Sequence, residues 1–314
     1  MMRIAVALPN HNQHTIVRET IGKLMEQSLP PAAIYVLSDA KPFCKLPGDP
    51  DCVVPINNAK KFIGRCGNRN SVVQPFLKSP YDAIVFMDGD CSPIGDDFLE
   101  SYATIFTKYG LVFGTRTHSD ITGLKTPPSD LLTANMDNLY SGAPIDYTDL
   151  RVVSGAVKAW NESTTFSERL DLMLTGMIGW SCNFGFTKRG LRKLTKFQKA
   201  TYSMKEGIFD SNAFQDGWGY EDVAMGIDAL YAGLEIGVTD CVKVLHRSHD
   251  RSDGLFDHVK GRHVIMERYR GLEHSVKMKD LIYKTAIVAS AFFTAGLITG
   301  MVTESINLLK VLGM

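Results

Sequence analysis

The run Ala83-Ile84-Val85-Phe86-Met87-Asp88-Gly89-Asp90 decides the fold. Its consecutive apolar residues, with no polar alternation, describe a strand buried on both faces, the habit of parallel sheets covered by helices on either side. Two carboxylates around a glycine end the run, and the glycine permits a tight bend and a close approach of backbone to a ligand. In open α/β sheets ligands lie beyond the carboxyl ends of strands, so these acids stand where chemistry is expected.

The same pattern recurs on either side. Ile4 to Leu8 is an apolar run closed by Pro9-Asn10-His11-Asn12, and Thr15 to Gln27 then places Ile16, Val17, Ile21, Leu24 and Met25 at helical spacing. Pro30-Pro31 stops that helix, and Ala33 to Leu37 reads as a second buried strand ending at Ser38-Asp39. A helical run from Arg69 to Leu77 precedes the Ala83 strand, and a helix from Asp97 to Lys108 precedes Leu111-Val112-Phe113. This alternation predicts an α/β fold with a mostly parallel central sheet flanked by helices. Thr115 to Thr175 is polar and turn-rich, without clear periodicity, and reads as an insertion over the scaffold. Regular pattern resumes with a strand at Gly179 to Phe186, a basic helix at Arg189 to Lys199, a helix at Glu221 to Ala232 and a strand at Val242 to His246.

Composition narrows the function classes. With 45% hydrophobic and 22% charged residues, the 314-residue chain has a sizeable core, and disordered, collagen-like and coiled-coil readings fall away. Lys+Arg and Asp+Glu are both 34, so the chain as a whole lacks the basic excess that drives non-specific binding to polyanions. The six cysteines form no CxxC pair, which predicts free thiols and no zinc cluster. The opening residues are too short and too weakly basic for a signal peptide, so a cytoplasmic location is expected. Thr285 to Thr303 is uncharged over 19 residues, close to the ~20 that span a bilayer. Its many Thr, Ala, Ser and Gly residues equally suit a packed helix or a homo-oligomer contact, so membrane association through 285–303 and soluble packing both stay open.

Three constellations carry chemistry. Asp88-Gly89-Asp90 supplies the one or two carboxylates that a phosphate-bound divalent cation wants, or else a loop of solvated acids. Gly217-Trp218-Gly219-Tyr220-Glu221-Asp222 sets an aromatic face beside two acids at a helix start. The acids alone complement the helix dipole; with the tryptophan they suit a sugar ring and its hydroxyls. Val242-Lys243-Val244-Leu245-His246 delivers a histidine to a strand end, with His249 three residues on, and either imidazole could join the DxD acids and diphosphate oxygens around Mn2+ or Mg2+. The cluster Arg189, Arg192, Lys193, Lys196 and Lys199 reads first as a solvated helix face and second as a contact for DNA phosphates.

These residues resemble the glycosyltransferases of the GT-A fold, a Rossmann-like nucleotide-diphospho-sugar transferase fold. The likeness is to the family-2 group and to its relatives with a GWGxED motif, the galactosyl- and N-acetylgalactosaminyltransferases, and runs over most of residues 3 to 250. It implies a GT-A domain at 1–260, with a donor half at about 1–114 and an acceptor half at about 115–260. A C-terminal helical tail follows at 261–314. It further implies a nucleotide-sugar donor, most commonly a UDP-sugar, contacted by Pro9, Asn10, Asn12, Asp39, Arg65, Arg69, Asn70, Asp88 and Gly89. The divalent metal, Mn2+ or Mg2+, falls to Asp90 and His246 with Asp88 nearby. Asp222 takes the role of base, and Glu221, Trp218, Gly219, Trp180 and Asn183 meet the acceptor. What is implied is a metal-dependent inverting transferase moving one sugar to an acceptor hydroxyl on a saccharide, a lipid-linked glycan or a hydroxylated nucleobase of DNA. The alternative is a non-catalytic sugar- or nucleotide-binding protein of the same fold. Ser38-Asp39 departs from the family's frequent pair of acids, and no QxxRW follows the Glu-Asp pair, which argues against a processive synthase.

Overall fold

The computed structural model describes residues 1–58, 64–118, 150–174, 178–179, 182–205, 207–214, 220–247, 261, 263–265 and 267–268. The chain divides into two compact units, Met1–Arg262 and His263–Met314. In the second unit the described residues are helical, and His263 pairs with Glu267 one turn on. The apolar segment 285–303 lies outside the described residues. Among the described residues, no helix is long and apolar enough to cross a membrane.

The first unit is built on an eight-stranded sheet in the order β3-β2-β1-β4-β7-β6-β8-β5. In chain order the strands are β1 (Ile4–Asn10), β2 (Ala33–Ser38), β3 (Val53–Asn57), β4 (Ala83–Met87), β5 (Cys91–Pro93), β6 (Leu111–His118), β7 (Asn183–Thr187) and β8 (Ile236–His246). The helices are α1 (His14–Met25), α2 (Gly64–Asn70), α3 (Val73–Lys78), α4 (Phe98–Ile105), α5 (Leu150–Glu162), α6 (Phe166–Leu174), α7 (Lys188–Tyr202) and α8 (Glu221–Tyr231). Four neighbouring pairs are parallel: β1 with β2, β1 with β4, β2 with β3, and β6 with β8. β7 runs antiparallel to both β4 and β6, and β5 antiparallel to β8. The α/β fold with a predominantly parallel central sheet is therefore the one the sequence predicts.

Side chains of β4 alternate between two cores, which is why it reads as an unbroken apolar run. Val85 and Met87 join Leu8, Val17, Leu24, Phe98 and Tyr102 beneath α1 and α4. Phe86 turns the other way and stacks on Phe184 with ring centroids 4.8 Å apart, with Phe209 packed edge-on to both.

The stretch expected to be an irregular insertion corrects itself in part: α5 and α6 lie within 115–175. Trp160 of α5 is buried and donates its indole N–H to the Ile236 carbonyl, so this helix packs on the sheet. β3 also escaped the sequence reading. It is an edge strand carrying Pro55, where a missing N–H costs no central ladder bond.

The start of α7 shows how tightly the layers meet. Thr187 caps the helix by accepting the Gly190 N–H at 3.0 Å, and a Cβ on Gly190 would lie 2.2 Å from the Gly110 carbonyl oxygen. Backbone against backbone cannot yield as a flexible side chain can. Gly190→Ala is expected to lower stability by about 1–3 kcal/mol, the usual cost of overpacking. Urea denaturation should show a lower midpoint with an unchanged slope.

Candidate functional site

The parallel strands put their carboxyl ends on one edge of the sheet, and the polar residues gather there. At the end of β4, Asp88 Oδ1 accepts a hydrogen bond from Arg69 Nη2 at 2.8 Å, while Arg69 Nη1 lies 3.5 Å from Glu221 Oε1. One guanidinium thus joins the DxD turn to the Glu-Asp pair, which are far apart in sequence. Arg69 and Glu221 are each only 4% exposed, so neither charge is relieved by water. Burial alone would lower the Arg69 pKa, but the Asp88 and Glu221 carboxylates raise it, and the guanidinium stays charged. Burial pushes the Asp88 carboxyl up, yet Arg69, its hydrogen bond and Arg65 outweigh this and hold it below the ordinary carboxylate range. Glu221 goes the other way: burial first, then Asp222, raise its pKa, against the weaker pull of Arg69 through the longer contact.

Asp222 is the second residue of α8, with its Oδ1 accepting the Val223 N–H at 2.9 Å. The residue before the pair, Tyr220, is buried with φ 68°, in the left-handed region that disfavours side chains other than glycine or asparagine. The chain turns sharply there, and the two acids enter the first turn of the helix together.

β5 explains why the second DxD acid meets the histidine. Its register with β8 pairs Cys91 with His246, and the Arg247 N–H donates to the Asp90 carbonyl at 3.0 Å. Asp90 Oδ2 lies 3.6 Å from His246 Nε2. With Cys91 these side chains present one ligand atom each within 4.8 Å of one another. Burial pushes the Cys91 thiol well up, so the anionic ligand available there is the carboxylate. A carboxylate and an imidazole fit a divalent cation such as Mn2+.

Three contacts hold this turn, and the sequence reading missed two of them. The buried Thr20 hydroxyl sits 3.3 Å from the Gly89 carbonyl and 3.0 Å from that of Cys91, bracing both sides of Asp90. Arg247 pairs with Glu19 one residue before that threonine. The third is the glycine itself: a Cβ on Gly89 would lie 2.4 Å from the Pro9 carbonyl oxygen. Thr20 was legible as a lone polar residue on the apolar stripe Ile16, Val17, Ile21 and Leu24; the Glu19–Arg247 pair has no sequence signature.

On the β1 and β2 side, Asp39 is nearly buried and its Oδ1 lies 2.9 Å from His11 Nδ1. Asn12, at φ 59°, accepts the Lys41 N–H at 3.2 Å and ties the two loops together. Arg65 lies on the exposed side of α2, and its positive field falls on Asp88, Glu221 and Asp222.

Several expected contacts are already committed to the protein. Asn183, fully buried, donates to the Thr115 and Val242 carbonyls at 3.0 Å each and accepts from the Tyr102 hydroxyl at 2.8 Å. It holds strands together in the core, with its amide engaged by three protein groups. Asn70 accepts the Ile208 and Phe209 N–H groups and donates to the Phe209 carbonyl, bracing the loop beside Phe209. Asn10 donates to Ser38 Oγ at 3.0 Å and accepts the Gln13 N–H, shaping the entrance to α1. For Asn70 and Asn10 the role seen is that of a brace behind the site. Trp180, Gly217, Trp218, Gly219 and His249 lie outside the described residues.

No family model matches this chain, and no curated protein sequence matches it. Among solved structures it is similar to the crystal structure of S. aureus TarS, at 12% identity over 79% of this chain and 37% of that one, with a TM-score of 0.47. It is similar also to S. aureus TarS 1-349 in complex with UDP-GlcNAc, at 13% identity over 81% and 62%, TM-score 0.48. The mannosyltransferase PcManGT from Pyrobaculum calidifontis, in complex with GDP-Man and Mn2+, aligns at 14% identity over 80% and 58%, TM-score 0.48. The chain spans less than two thirds of each of these structures. What the cleft can do is accordingly read from its own residues.

The raised Glu221 carboxyl gives a pH test. A carboxyl that binds its proton more tightly in the folded state costs stability as pH rises from its unfolded pKa, about 4.3, toward the folded value. Glu221→Gln removes that cost. The stability of the variant relative to the parent is expected to improve between pH 4 and pH 7, as measured by urea denaturation at both.

Proposed function

We propose that this chain is a metal-dependent glycosyltransferase of the GT-A fold that moves one sugar, with inversion, from a nucleotide-sugar donor to an acceptor hydroxyl. The observation that carries the reading is the pairing of Asp90 with His246 at 3.6 Å, beside the Arg69 bridge from Asp88 to Glu221. A cation-holding pair and an acid pair that can take a proton meet at the one sheet edge where α/β proteins bind ligands. Residues 1–260 form the transferase domain, with the donor half to about 114 and the acceptor half after it, and 261–314 form the tail.

Asp90 and His246 would hold the divalent cation, with Asp88 and its arginine beside them. When bound, the metal supplies Lewis-acid neutralisation of the departing diphosphate. Asp39 and the loop after β1 face the nucleoside, and Arg65 and Arg69 add positive charge toward the phosphates. The acceptor oxygen attacks the anomeric carbon in line and forms the new C–O bond. The bond from that carbon to the diphosphate oxygen breaks, the electron pair leaves with the nucleoside diphosphate, and the acceptor proton passes to the Asp222 carboxylate. A single displacement inverts the anomeric centre. Glu221 holds the acceptor hydroxyl. The resemblance to family-2 enzymes supports a UDP-sugar as the donor.

The test is the melting temperature of the full chain against a panel of nucleoside diphosphates and their sugars, with and without Mn2+. Binding to the native state alone must raise it, so one donor is expected to give a metal-dependent increase. His246→Ala should remove the metal-dependent part. No increase with any donor at saturation would overturn the reading. In the same preparation Asp222→Asn is expected to reduce turnover by about 10²–10⁴-fold, the range for a general base, while keeping the donor-induced shift. Near-normal turnover would remove Asp222 from that role.

A further inference from the structure

We infer that the exposed cationic face of α7 is a docking surface for the phosphodiester backbone of a nucleic acid strand, leading toward the cleft. The inference rests on the transferase reading and names the kind of chain that carries the acceptor hydroxyl.

Lys188, Arg189, Arg192, Lys193, Lys196 and Lys199 lie on α7, and the helix contains no acidic residue. The chain as a whole has zero net charge, so this is a local segregation of sign. It works against the helix's own stability. Arg189–Arg192, Arg189–Lys193, Arg192–Lys196 and Lys196–Lys199 are like-charged neighbours at i,i+3 or i,i+4, each mildly repulsive. Lys188 and Arg189 also stand in the first turn, where the helix dipole disfavours cations. A merely soluble face would gain from interleaved acids, and this one has none.

Neighbouring groups do not neutralise the stripe. Arg192 donates to the Leu77 carbonyl, Lys193 to that of Gly233 and Lys188 to that of Ser79, bonds that fix position and leave the charge in place. Among the described residues no carboxylate forms an ion pair with any of the six. The acid bordering the start of the helix, Asp82, is bonded by Arg3, and Lys78 on α3 adds a further exposed cation.

The surface leads toward the cleft. Gln198 Nε2 donates to Asp228 Oδ2 at 2.8 Å and Lys193 reaches Gly233, so α7 and α8 run antiparallel. α8 begins at Glu221 in the cleft, and the Lys199 end of α7 therefore lies toward the same edge of the sheet. From Arg189 to Lys199 the stripe is roughly 15 Å long at about 1.5 Å per residue. With a duplex rise of about 3.4 Å per phosphate along each strand, that length faces a short run of phosphates. A lipid surface fits less well. Leu191 and Leu194, the apolar side of α7, are fully buried against the protein, so the helix has no apolar face to insert between headgroups.

The experiment measures fluorescence anisotropy of labelled duplex DNA and of a labelled single-stranded RNA of the same sequence with the full chain, from 50 to 200 mM salt. The variant is Arg189→Gln/Lys196→Gln/Lys199→Gln, which leaves the three carbonyl-bonded cations in place. The parent is expected to bind at least one probe with affinity falling steeply in salt, and the two probes distinguish the source of the backbone. The variant should bind at least tenfold more weakly at 100 mM salt, with a log–log salt slope shallower by about 2 to 3, near 0.9 per lost duplex contact. Its donor-induced rise in melting temperature should match the parent's. Salt-independent or absent binding by the parent, or equal binding by the variant, would overturn the surface. So would equal binding to phosphatidylglycerol vesicles lost in the same variant, which points to a membrane. Salt-dependent binding to nucleic acid with no donor shift in either protein would sink the transferase reading and leave the surface standing.

Discussion

The link between the DxD turn and the Glu-Asp pair depends on a single buried guanidinium. Arg69 contacts both Asp88 and Glu221, two carboxylates that lie far apart in the chain. Removing Arg69 would leave the ionised Asp88 uncompensated, a loss of the kind that typically costs several kcal/mol. The bridge is asymmetric. The short contact to Asp88 holds that carboxyl ionised, while the longer one to Glu221 leaves burial and Asp222 free to raise its pKa. Two carboxylates on one arginine are thus set to different proton affinities by their burial and their other charged neighbours as well as by the length of the contact.

A second constraint fixes the turn that carries Asp90. The carbonyls of residues 89 and 91 share the one proton of the Thr20 hydroxyl, and that of residue 90 accepts the Arg247 N–H. Gly89 lies so close to Pro9 that no side chain fits. The carboxylate of Asp90 therefore projects from a backbone with little freedom, toward a histidine on the neighbouring strand. The two side chains are thereby held at a fixed separation before anything binds.

Much of this was legible in the sequence, for reasons that can be named. Ile4–Asn10, Ala33–Ser38 and Ala83–Met87 are buried on both faces, and burial on both faces writes an unbroken apolar run. The helices at α1, α4, α7 and α8 show their buried stripe at the 3.6-residue period. β3 was not legible, because an edge strand with an exposed valine and a proline lacks that run. Nor were α5 and α6, whose amphipathic faces sit in a stretch dominated by polar and turn residues. Among the site residues, Asp88, Asp90, Glu221, Asp222 and His246 stood out by type and position. Asn183 stood out as well, and its amide belongs to the core.

By itself the sequence determined the fully buried strands, the helices α1, α4, α7 and α8 and the acids at the ends of these elements, because these are properties of local periodicity and of turn chemistry. Tertiary structure alone decided the partners. The antiparallel register of β5 on β8 sets Asp90 beside His246, and the packing of α2 against the sheet sends Arg69 to both Asp88 and Glu221. The pairings of Asp90 with His246 and of Arg69 with Glu221 join residues more than a hundred positions apart. They arise from which strands lie side by side and from the need of each buried charge for a counter-charge, and no local pattern in the chain encodes either.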